Sequence, residues 1–282
     1  MLKYRIISFP LLLLLLWVVF FFPNRAVSQG LFAIPAAVLV GFAVYEGAKL
    51  LLALKLPCYP VFCGVAGGLY VLYYCLVRML YFELSLSLAL LGIALLALPN
   101  IIVLFKFEKA FRRIIGSFGV LISLGVPLAL VVDLYFTKLA GKVSLLLFVI
   151  VCTKAMDTGG YILGMLTSRL PNGNHKIAPQ ISPKKSWEGF FGGLALSLGC
   201  AWGFAAALEG PWGVYLGAAA VLAVASFFGD LSESAVKRRA QVKDSGSWIP
   251  GMGGALDVVD SFLYVGIVCT IGLTVNQLFQ LF

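Results

Sequence analysis

Three aspartates stand at the ends of long apolar segments in the C-terminal half of the chain. Asp230 ends one apolar run, and Asp257 and Asp260 begin the next one. Because Asp257 and Asp260 are three residues apart, they share one face of a helix. The loop between the two runs returns the chain to the same end, which can bring all three carboxylates together. Clustered carboxylates suit a hard cation, so the sequence predicts a Mg²⁺ site here, with Mn²⁺ as a substitute.

Two structural explanations of these acids remain open. Asp257 and Asp260 could favour the positive end of a helix dipole, which is worth about 0.3–1 kcal/mol per charge. Another acid, Asp157, lies within an earlier apolar run and could simply pair with Lys154 one turn before it. Carboxylates in apolar helices are costly and usually face a partner or a wet cavity, which favours a functional role for the group.

Two clusters of cations flank the acidic residues. One cluster follows Asp230 and comprises Lys237, Arg238, Arg239 and Lys243. The other contains Lys184 and Lys185, in the segment HKIAPQISPKKSWEG. Cations together with Mg²⁺ neutralise the charge that develops during phosphoryl transfer, so the pattern predicts a phosphate-binding site. The alternative is that these cations only mark the cytoplasmic side of a membrane protein.

The composition requires a membrane to position these groups. The 282-residue chain is 61% hydrophobic and 12% charged, whereas about 25% of residues are charged in soluble domains. We therefore expect an all-α, polytopic membrane protein with about nine transmembrane helices, each of roughly 20 apolar residues. The predicted spans are 5–22, 31–54, 58–77, 83–105, 116–135, 143–166, 188–208, 211–231 and 256–280.

The basic residues predict the orientation of the chain. Most of the 21 Lys and Arg residues fall on one side of the predicted spans, which places the N-terminus in the cytoplasm. The same bias explains the net charge of +9 without nucleic acid as a partner. The charged loops are concentrated late in the chain, so we divide it into residues 1–140, with about five spans, and residues 141–282, with the chemistry.

Other residues receive structural interpretations. The pairs Gly160/Gly164 and Gly189/Gly193 have the spacing with which transmembrane helices pack closely. The single histidine, His175, lies in a polar loop and is interpreted as solvent-exposed rather than as a catalytic base. Glu46 is an acid inside the second predicted span, and the sequence names no partner for it.

The stretch SAVKRRAQVKDSGSWIPGMGGALDVVDS, from Ser234 to Ser261, resembles the signature of the CDP-diacylglycerol synthases, also called phosphatidate cytidylyltransferases. The upstream blocks DTGGYILGM and ISPKKSWEGFFGG are similar to two further conserved blocks of that family. Met252 stands where the family pattern has His, and Val258 stands where it has Arg. The matching positions of the signature are Ser234, Lys237, Arg238, Lys243, Asp244, Gly246, Ile249, Pro250, Gly253, Gly254, Asp257 and Asp260.

The resemblance implies transfer of a cytidylyl group from CTP to phosphatidate, giving CDP-diacylglycerol and pyrophosphate in phospholipid biosynthesis. It implies an active site on the cytoplasmic side of the inner membrane, open to the lipid bilayer. The metal would be held by Asp230, Asp257 and Asp260. Lys237 would act with them, and the remaining substrate contacts would come from Lys184, Lys185, Arg238, Lys243, Ser182, Asp157 and Asp244.

Two other functions are kept as alternatives. A CTP-dependent polyprenol or lipid-alcohol kinase would use similar Mg²⁺ and phosphate chemistry but would release CDP. A transporter would explain the intramembrane Lys154 and Asp157, yet we find no matching pair of interrupted helices in two halves of the chain. A homodimer is compatible with the sequence but is not indicated by a particular motif.

Overall fold

The computed structural model describes residues 17–22, 24–80, 108–171, 173–248 and 253–279. Most of these residues are helical. Seven helices among them are long and apolar enough to cross a membrane, so the protein is a multi-pass membrane protein. The helices are α1 Arg25–Ala53, α2 Pro60–Leu80, α3 Glu108–Val120, α4 Val126–Asp133, α5 Leu145–Thr167, α6 Trp187–Leu208, α7 Trp212–Arg239, α8 Ala255–Val259 and α9 Val265–Phe279.

Short irregular helical segments join some of these helices. A π-helical segment, Leu121–Gly125, connects α3 to α4, so that the three form one continuous span. A 3₁₀ turn, Asp260–Phe262, follows α8 and leads to α9. Seven of the predicted spans correspond to observed helices. The predicted span 83–105 lies outside the described residues, and only residues 17–22 of the span 5–22 are described, so a total of nine stays a prediction.

Two small antiparallel hairpins modify the all-α expectation. Strands β1 (Lys138–Leu139) and β2 (Val143–Ser144) pair before α5, with Lys138 opposite Ser144. Strands β3 (Lys176–Ala178) and β4 (Ser182–Ser186) pair before α6, with an irregularity in register. Strands β1, β3 and β4 lie in segments predicted as loops, whereas β2 lies at the start of the predicted span 143–166, and all four strands are too short to show alternation.

The chain forms two compact units. The first unit comprises Met1–Asp133 and Arg239–Val259, and the second comprises Leu134–Arg238 and Asp260–Phe282. Each unit therefore combines an earlier part of the chain with a short later part. The predicted division into residues 1–140 and 141–282 stays a prediction.

Close packing of α1 against α2 organises the first unit. A Cβ atom added at Gly64 of α2 would lie 2.9 Å from the carbonyl oxygen of Gly41 in α1, and one at Gly68 would lie 3.0 Å from that of Ala37. The absence of side chains at these positions lets the two backbones approach, as in many membrane helix pairs. An ion pair between Arg78 Nε and Asp133 Oδ1, 3.0 Å apart, joins the end of α2 to the end of α4.

The second unit contains the predicted glycine packing of α5 against α6. A Cβ atom at Gly189 would lie 2.8 Å from the carbonyl oxygen of Gly160, and one at Gly193 would overlap the backbone of Met156. The helix-packing interpretation of the glycine pairs is confirmed. Helix α6 begins directly after β4, where Ser186 Oγ accepts a hydrogen bond from the Gly189 amide at 3.1 Å and caps the helix.

Candidate active site

A cluster of three carboxylates forms in the second unit. Helix α7 supplies Asp230 and Glu233, and the 3₁₀ turn supplies Asp260. One oxygen from each side chain lies within 4.8 Å of the others. The turn approaches α7 at Gly229, where an added Cβ would be 2.6 Å from the Asp260 carbonyl oxygen. The glycine beside Asp230 therefore makes the cluster possible.

The cluster has the donor set of a hard-cation site. All three ligands are carboxylates, and Mg²⁺ prefers oxygen ligands at about 2.0–2.1 Å, so that opposite ligands lie about 4.2 Å apart. Oxygens within 4.8 Å of one another need only small side-chain movements to reach that arrangement. Glu233 and Asp260 are buried, while Asp230 is partly exposed. Asp230, Glu233 and Asp260 could therefore hold one divalent cation between them.

Two lysines compensate the charge of this cluster. The ammonium of Lys185 is 2.9 Å from Asp230 Oδ2, donates to the Phe227 carbonyl at 3.1 Å, and lies 4.4 Å from the centre of the Phe227 ring. The ammonium of Lys237 is 2.6 Å from Glu233 Oε2, one turn earlier on α7. Only 11% of the Lys237 side chain is exposed, so this lysine is a buried counter-charge rather than a solvated cation.

A hydrogen-bonded chain extends from the cluster to Asp157. Asp260 Oδ1 is 2.5 Å from the Ser261 amide and 3.0 Å from Ser261 Oγ. The same hydroxyl lies 3.2 Å from Asp157 Oδ2, which also accepts from Lys154 Nζ at 3.0 Å. The structure thus contains the Lys154–Asp157 pair considered above, and it also connects Asp157 to Asp260 through Ser261.

A cavity of about 480 Å³ opens beside this network in the second unit. It is lined by polar groups from α5, β3, β4 and α7, together with aromatic rings such as Tyr161 and Phe227. Five of the predicted site residues line it: Asp157, Ser182, Lys184, Lys185 and Asp230. Cations at one wall and a carboxylate cluster behind Asp230 give the cavity the charge pattern expected for bound phosphates and a metal.

The β3–β4 hairpin carries the cations of this cavity. Strand β4 contains Ser182, Lys184 and Lys185, and its end is fixed by the cap of α6. Arg238 Nε donates to the carbonyl of Ile181 at 3.3 Å, which joins the end of α7 to the hairpin. Arg238 thus contacts the segment that carries the phosphate-binding candidates.

His175 takes a structural partner. Its Nδ1 is 2.6 Å from Glu188 Oε1 at the start of α6, and its amide donates to the same carboxylate. The imidazole side chain is 86% exposed, and His175 is not among the residues that line the cavity. The geometry agrees with the interpretation of an exposed residue.

The remaining predicted residues belong to the first unit. Asp257 Oδ2 accepts hydrogen bonds from the amides of Gly254, at 2.7 Å, and Ser245, at 3.0 Å. The bond to Gly254 resembles the carboxylate half of a capping box, because Asp257 reaches back to the residue that precedes α8. Lys243 and Asp244 are exposed in the segment before Ser245. The role of Asp257 as a metal ligand stays a prediction, and Met252 lies outside the described residues.

The sequence analysis missed several residues of the site. Glu233 escaped attention because it forms an acid–base pair with Lys237 at i,i+4 spacing, which is typical of any solvated helix. Its position three residues after Asp230 was the signal available. Ser261 and Gly229 carry no charge, and their roles depend on contacts between α7 and the 3₁₀ turn. Lys176, which also lines the cavity, lay in a segment predicted to bind phosphate but was not itself named as a contact.

Part of the chain is similar in sequence to known proteins. A phosphatidate cytidylyltransferase of Mycobacterium bovis is 44% identical over 123 residues, covering 43% of this chain and 38% of that protein. The corresponding protein of Mycobacterium leprae is 41% identical over 138 residues, covering 48% and 41%. One from Staphylococcus aureus is 42% identical over 111 residues, covering 39% and 41%. The matches thus span about two-fifths of the length of these relatives.

A much longer match comes from the family level. The sequence model of the cytidylyltransferase family matches residues 3–275, which includes both the carboxylate cluster and the cavity-lining hairpin. On this evidence, the chain belongs to the cytidylyltransferase family.

Proposed function

We propose that the protein transfers the cytidylyl group of CTP to phosphatidate, giving CDP-diacylglycerol and pyrophosphate. The observation that carries the proposal is the lysine-lined cavity that meets a three-carboxylate cluster at Asp230. The similar mycobacterial and staphylococcal proteins are phosphatidate cytidylyltransferases, which supports the same substrates. Phospholipid synthesis is the setting in which this reaction would be used.

The reaction is a nucleotidyl transfer. An oxygen of the phosphatidate phosphate attacks the α-phosphorus of CTP, and the bond from that phosphorus to the bridging β-oxygen breaks. Pyrophosphate leaves with the electron pair. A phosphate monoester is largely ionised at neutral pH, with a second pKa of about 6, so the nucleophile needs no strong general base. Positioning and charge neutralisation supply most of the rate.

The residues of the cavity take distinct parts in this reaction. Lys184 is exposed on the cavity wall and contacts phosphate oxygens of a substrate. Lys185 lies between the cavity and Asp230, where it orients the carboxylate and neutralises developing charge. Lys237 holds Glu233 in place from the same helix.

The carboxylate cluster is assigned to Mg²⁺, with Mn²⁺ as a substitute. Asp230, Glu233 and Asp260 would hold the ion, and Asp257 is kept as a further ligand from the sequence analysis. When bound, the cation would supply charge neutralisation for the triphosphate. Ser261 orients Asp260 by donating from its amide and its hydroxyl, and Asp157 is a second acceptor beside that hydroxyl.

The substrates favour a location at the cytoplasmic surface of the inner membrane. CTP is water-soluble and highly charged, whereas the acyl chains of phosphatidate stay in lipid. Trp187, Phe191 and Phe228 lie close in sequence to the site residues and are more than half exposed, as is typical of aromatic side chains at a membrane interface. The bias of the basic residues supports a cytoplasmic interface, with the N-terminus on the same side.

The test is product identification with purified protein, labelled CTP and phosphatidate in detergent micelles. We expect CDP-diacylglycerol and one equivalent of pyrophosphate, with activity abolished by excess chelator and restored by Mg²⁺. Release of CDP with a phosphorylated lipid alcohol would instead establish the kinase alternative. Full turnover in excess chelator would contradict the metal assignment.

A further inference from the structure

Glu46 is an almost fully buried acid in the C-terminal half of α1. Its relative exposure is 2%, and it belongs to the first unit together with the segment 239–259. Burying a carboxylate in a membrane helix is costly unless a partner compensates it. The partners of Glu46 are therefore the first indication of its role.

Both partners of Glu46 come from the signature segment. Glu46 Oε2 accepts a hydrogen bond from Ser245 Oγ at 3.0 Å and another from the Leu256 amide at 2.9 Å. These donors stand about 200 residues away in sequence, on either side of the glycine-containing stretch 246–254. One carboxylate oxygen thus closes the two ends of this stretch onto α1.

Two glycines of the signature leave room for this carboxylate. A Cβ added at Gly246 would overlap Glu46 Oε1, and all of its nearest neighbours would be atoms of Glu46. A Cβ added at Gly254 would overlap both Ser245 Oγ and Glu46 Oε2. The space at these positions is therefore occupied by Glu46 itself.

The same segment also holds Asp257. Ser245 donates its hydroxyl to Glu46 and its amide to Asp257, and Gly254 donates its amide to Asp257. Any movement of Ser245 or Gly254 would therefore displace the Asp257 carboxylate. Glu46 and Asp257 are thus the two ends of one hydrogen-bond network.

We propose that Glu46 is a positioning residue of the cytidylyl-transfer reaction, which holds Ser245 and Leu256 in place and thereby keeps the Ser245 and Gly254 amides where they orient Asp257. The inference rests on the proposed function, because Asp257 is assigned to the reaction there. Glu46 acts through Ser245 and Leu256 and contacts no substrate. A residue of this kind changes turnover more than it changes the apparent affinity for CTP.

The first test compares two substitutions at Glu46. Glu46→Gln keeps an oxygen that accepts from Ser245 and Leu256, so we expect turnover within about fivefold of the unsubstituted protein. Glu46→Ala removes both bonds, and we expect kcat to fall at least thirtyfold while the KM for CTP changes less than threefold. A folded Glu46→Ala protein with more than a third of the original kcat would overturn the proposal, as would equal losses in both variants.

The second test uses the contact between Glu46 and Gly246. Gly246→Ala alone should lower kcat at least tenfold, because its methyl group displaces the carboxylate. Combined with Glu46→Ala, the same change should cause no further loss, since the atoms that it meets are gone. Such non-additivity identifies a direct contact, and additive losses would contradict it. Gly30→Ala is the control, because Gly30 lies on α1 together with Glu46 and an added Cβ there would have nothing within 4 Å.

A third measurement is independent of catalysis. Backbone amide exchange in the peptide that contains Ser245, Gly254 and Leu256 should be slow in the unsubstituted protein and at least tenfold faster in Ser245→Ala and Glu46→Ala, because protection reflects local opening. Unchanged exchange would refute the role of Glu46 whatever the enzyme does. If the exchange rates change as expected but the protein shows no cytidylyl transfer, the proposed function is refuted and the hydrogen-bond network around Glu46 is still established.

Discussion

On α7, Asp230, Glu233 and Lys237 follow one another at spacings of three and four residues, which places them on one face of the helix. Two of these three side chains are buried, and each acid has a lysine partner. A buried acid that is paired only for stability would need one cation and no second carboxylate. The approach of Asp260 from the 3₁₀ turn adds a third carboxylate to the same place, which supports the proposed cation site.

Substitution of the clustered acids tests this interpretation. Asp230→Asn and Asp260→Asn are nearly isosteric, so we expect folding to be retained and turnover to fall at least a hundredfold, because a cation site that loses a carboxylate loses affinity. Glu233→Gln should behave in the same way. The measurement is kcat at saturating Mg²⁺. Glu209→Gln, at the exposed end of α6, is the matched control. If only the Asp230 variant loses turnover, the cation is not bound by this cluster.

The two lysines of β4 should differ in their effects. Lys184 is exposed on the cavity wall, whereas Lys185 also pairs with Asp230. We therefore expect Lys184→Ala mainly to raise the KM for CTP, about tenfold, and Lys185→Ala to lower kcat as well. Steady-state kinetics on purified variants separate these outcomes. Lys138→Ala, in the other hairpin, should change neither constant, and unaltered kinetics in both β4 variants would show that these lysines only orient the chain in the membrane.

The residue types of the site were visible in the sequence, but their partners were not. Asp230 and Asp260 stood out because charges are rare in apolar runs. The partners of Glu46 lie about 200 residues away, so no local pattern could reveal them. Asp257 and Asp260 share a face on an ideal helix, yet α8 ends at Val259 and Asp260 begins a 3₁₀ turn, which the three-residue spacing could not reveal.

At the scale of elements, glycines decide where helices approach each other. Gly193 and Gly199 both lie on α6, but only Gly193 faces α5. We expect Gly193→Ala to destabilise the protein by about 1–3 kcal/mol, since its methyl group overlaps the Met156 backbone in a packed interface. Gly199→Ala has open space in front of it and should be neutral or slightly stabilising. Thermal unfolding in detergent compares the two, and equal effects would contradict the packing.

A second glycine sets the distance between α7 and the 3₁₀ turn. Gly229→Ala would place a methyl group 2.6 Å from the Asp260 carbonyl oxygen, which is closer than real Cβ contacts allow. The turn must then move, so we expect at least a tenfold loss of kcat and a higher Mg²⁺ concentration for half-maximal activity. Gly217 also lies on α7, and an added Cβ there would have nothing within 4 Å. Gly217→Ala should therefore leave both values unchanged. If the Gly229→Ala protein keeps the original Mg²⁺ dependence, the 3₁₀ turn does not contribute to the cation site.

The membrane-spanning helices are the part of the fold that the sequence predicts. Runs of about 20 apolar residues must form helices because no water is present to satisfy the backbone, and the observed spans agree with the predicted ones wherever residues are described. The β3–β4 hairpin was not predicted, since its strands are three and five residues long and carry mainly polar side chains. The serine that caps α6 lies within β4, but the contact of Arg238 with the Ile181 carbonyl joins residues 57 apart in sequence, which no local pattern reveals.

At the scale of the whole molecule, the proposed chemistry requires a site that is reached from water on one side and from lipid on the other. The apolar helices provide the lipid-exposed surface, and the charged hairpin and the signature segment provide the polar one. The proposed reaction therefore predicts that both charged segments face the compartment that contains CTP. The bias of the basic residues predicts that this compartment is the cytoplasm.

The orientation can be tested with two single cysteines. Lys142 is exposed beside β2, at the predicted external end of α5, and Lys243 is exposed in the signature segment that we place in the cytoplasm. We expect a membrane-impermeant maleimide to label Lys142→Cys but not Lys243→Cys in intact spheroplasts, and the reverse in inverted membrane vesicles.

Background labelling of the native cysteines should be low, because four of the six are buried. Burial also raises the pKa of the Cys58 thiol, which keeps this thiol protonated and unreactive. Labelling of Lys243→Cys from outside would place the signature segment opposite the cytoplasmic CTP and would contradict the proposed reaction at its first step.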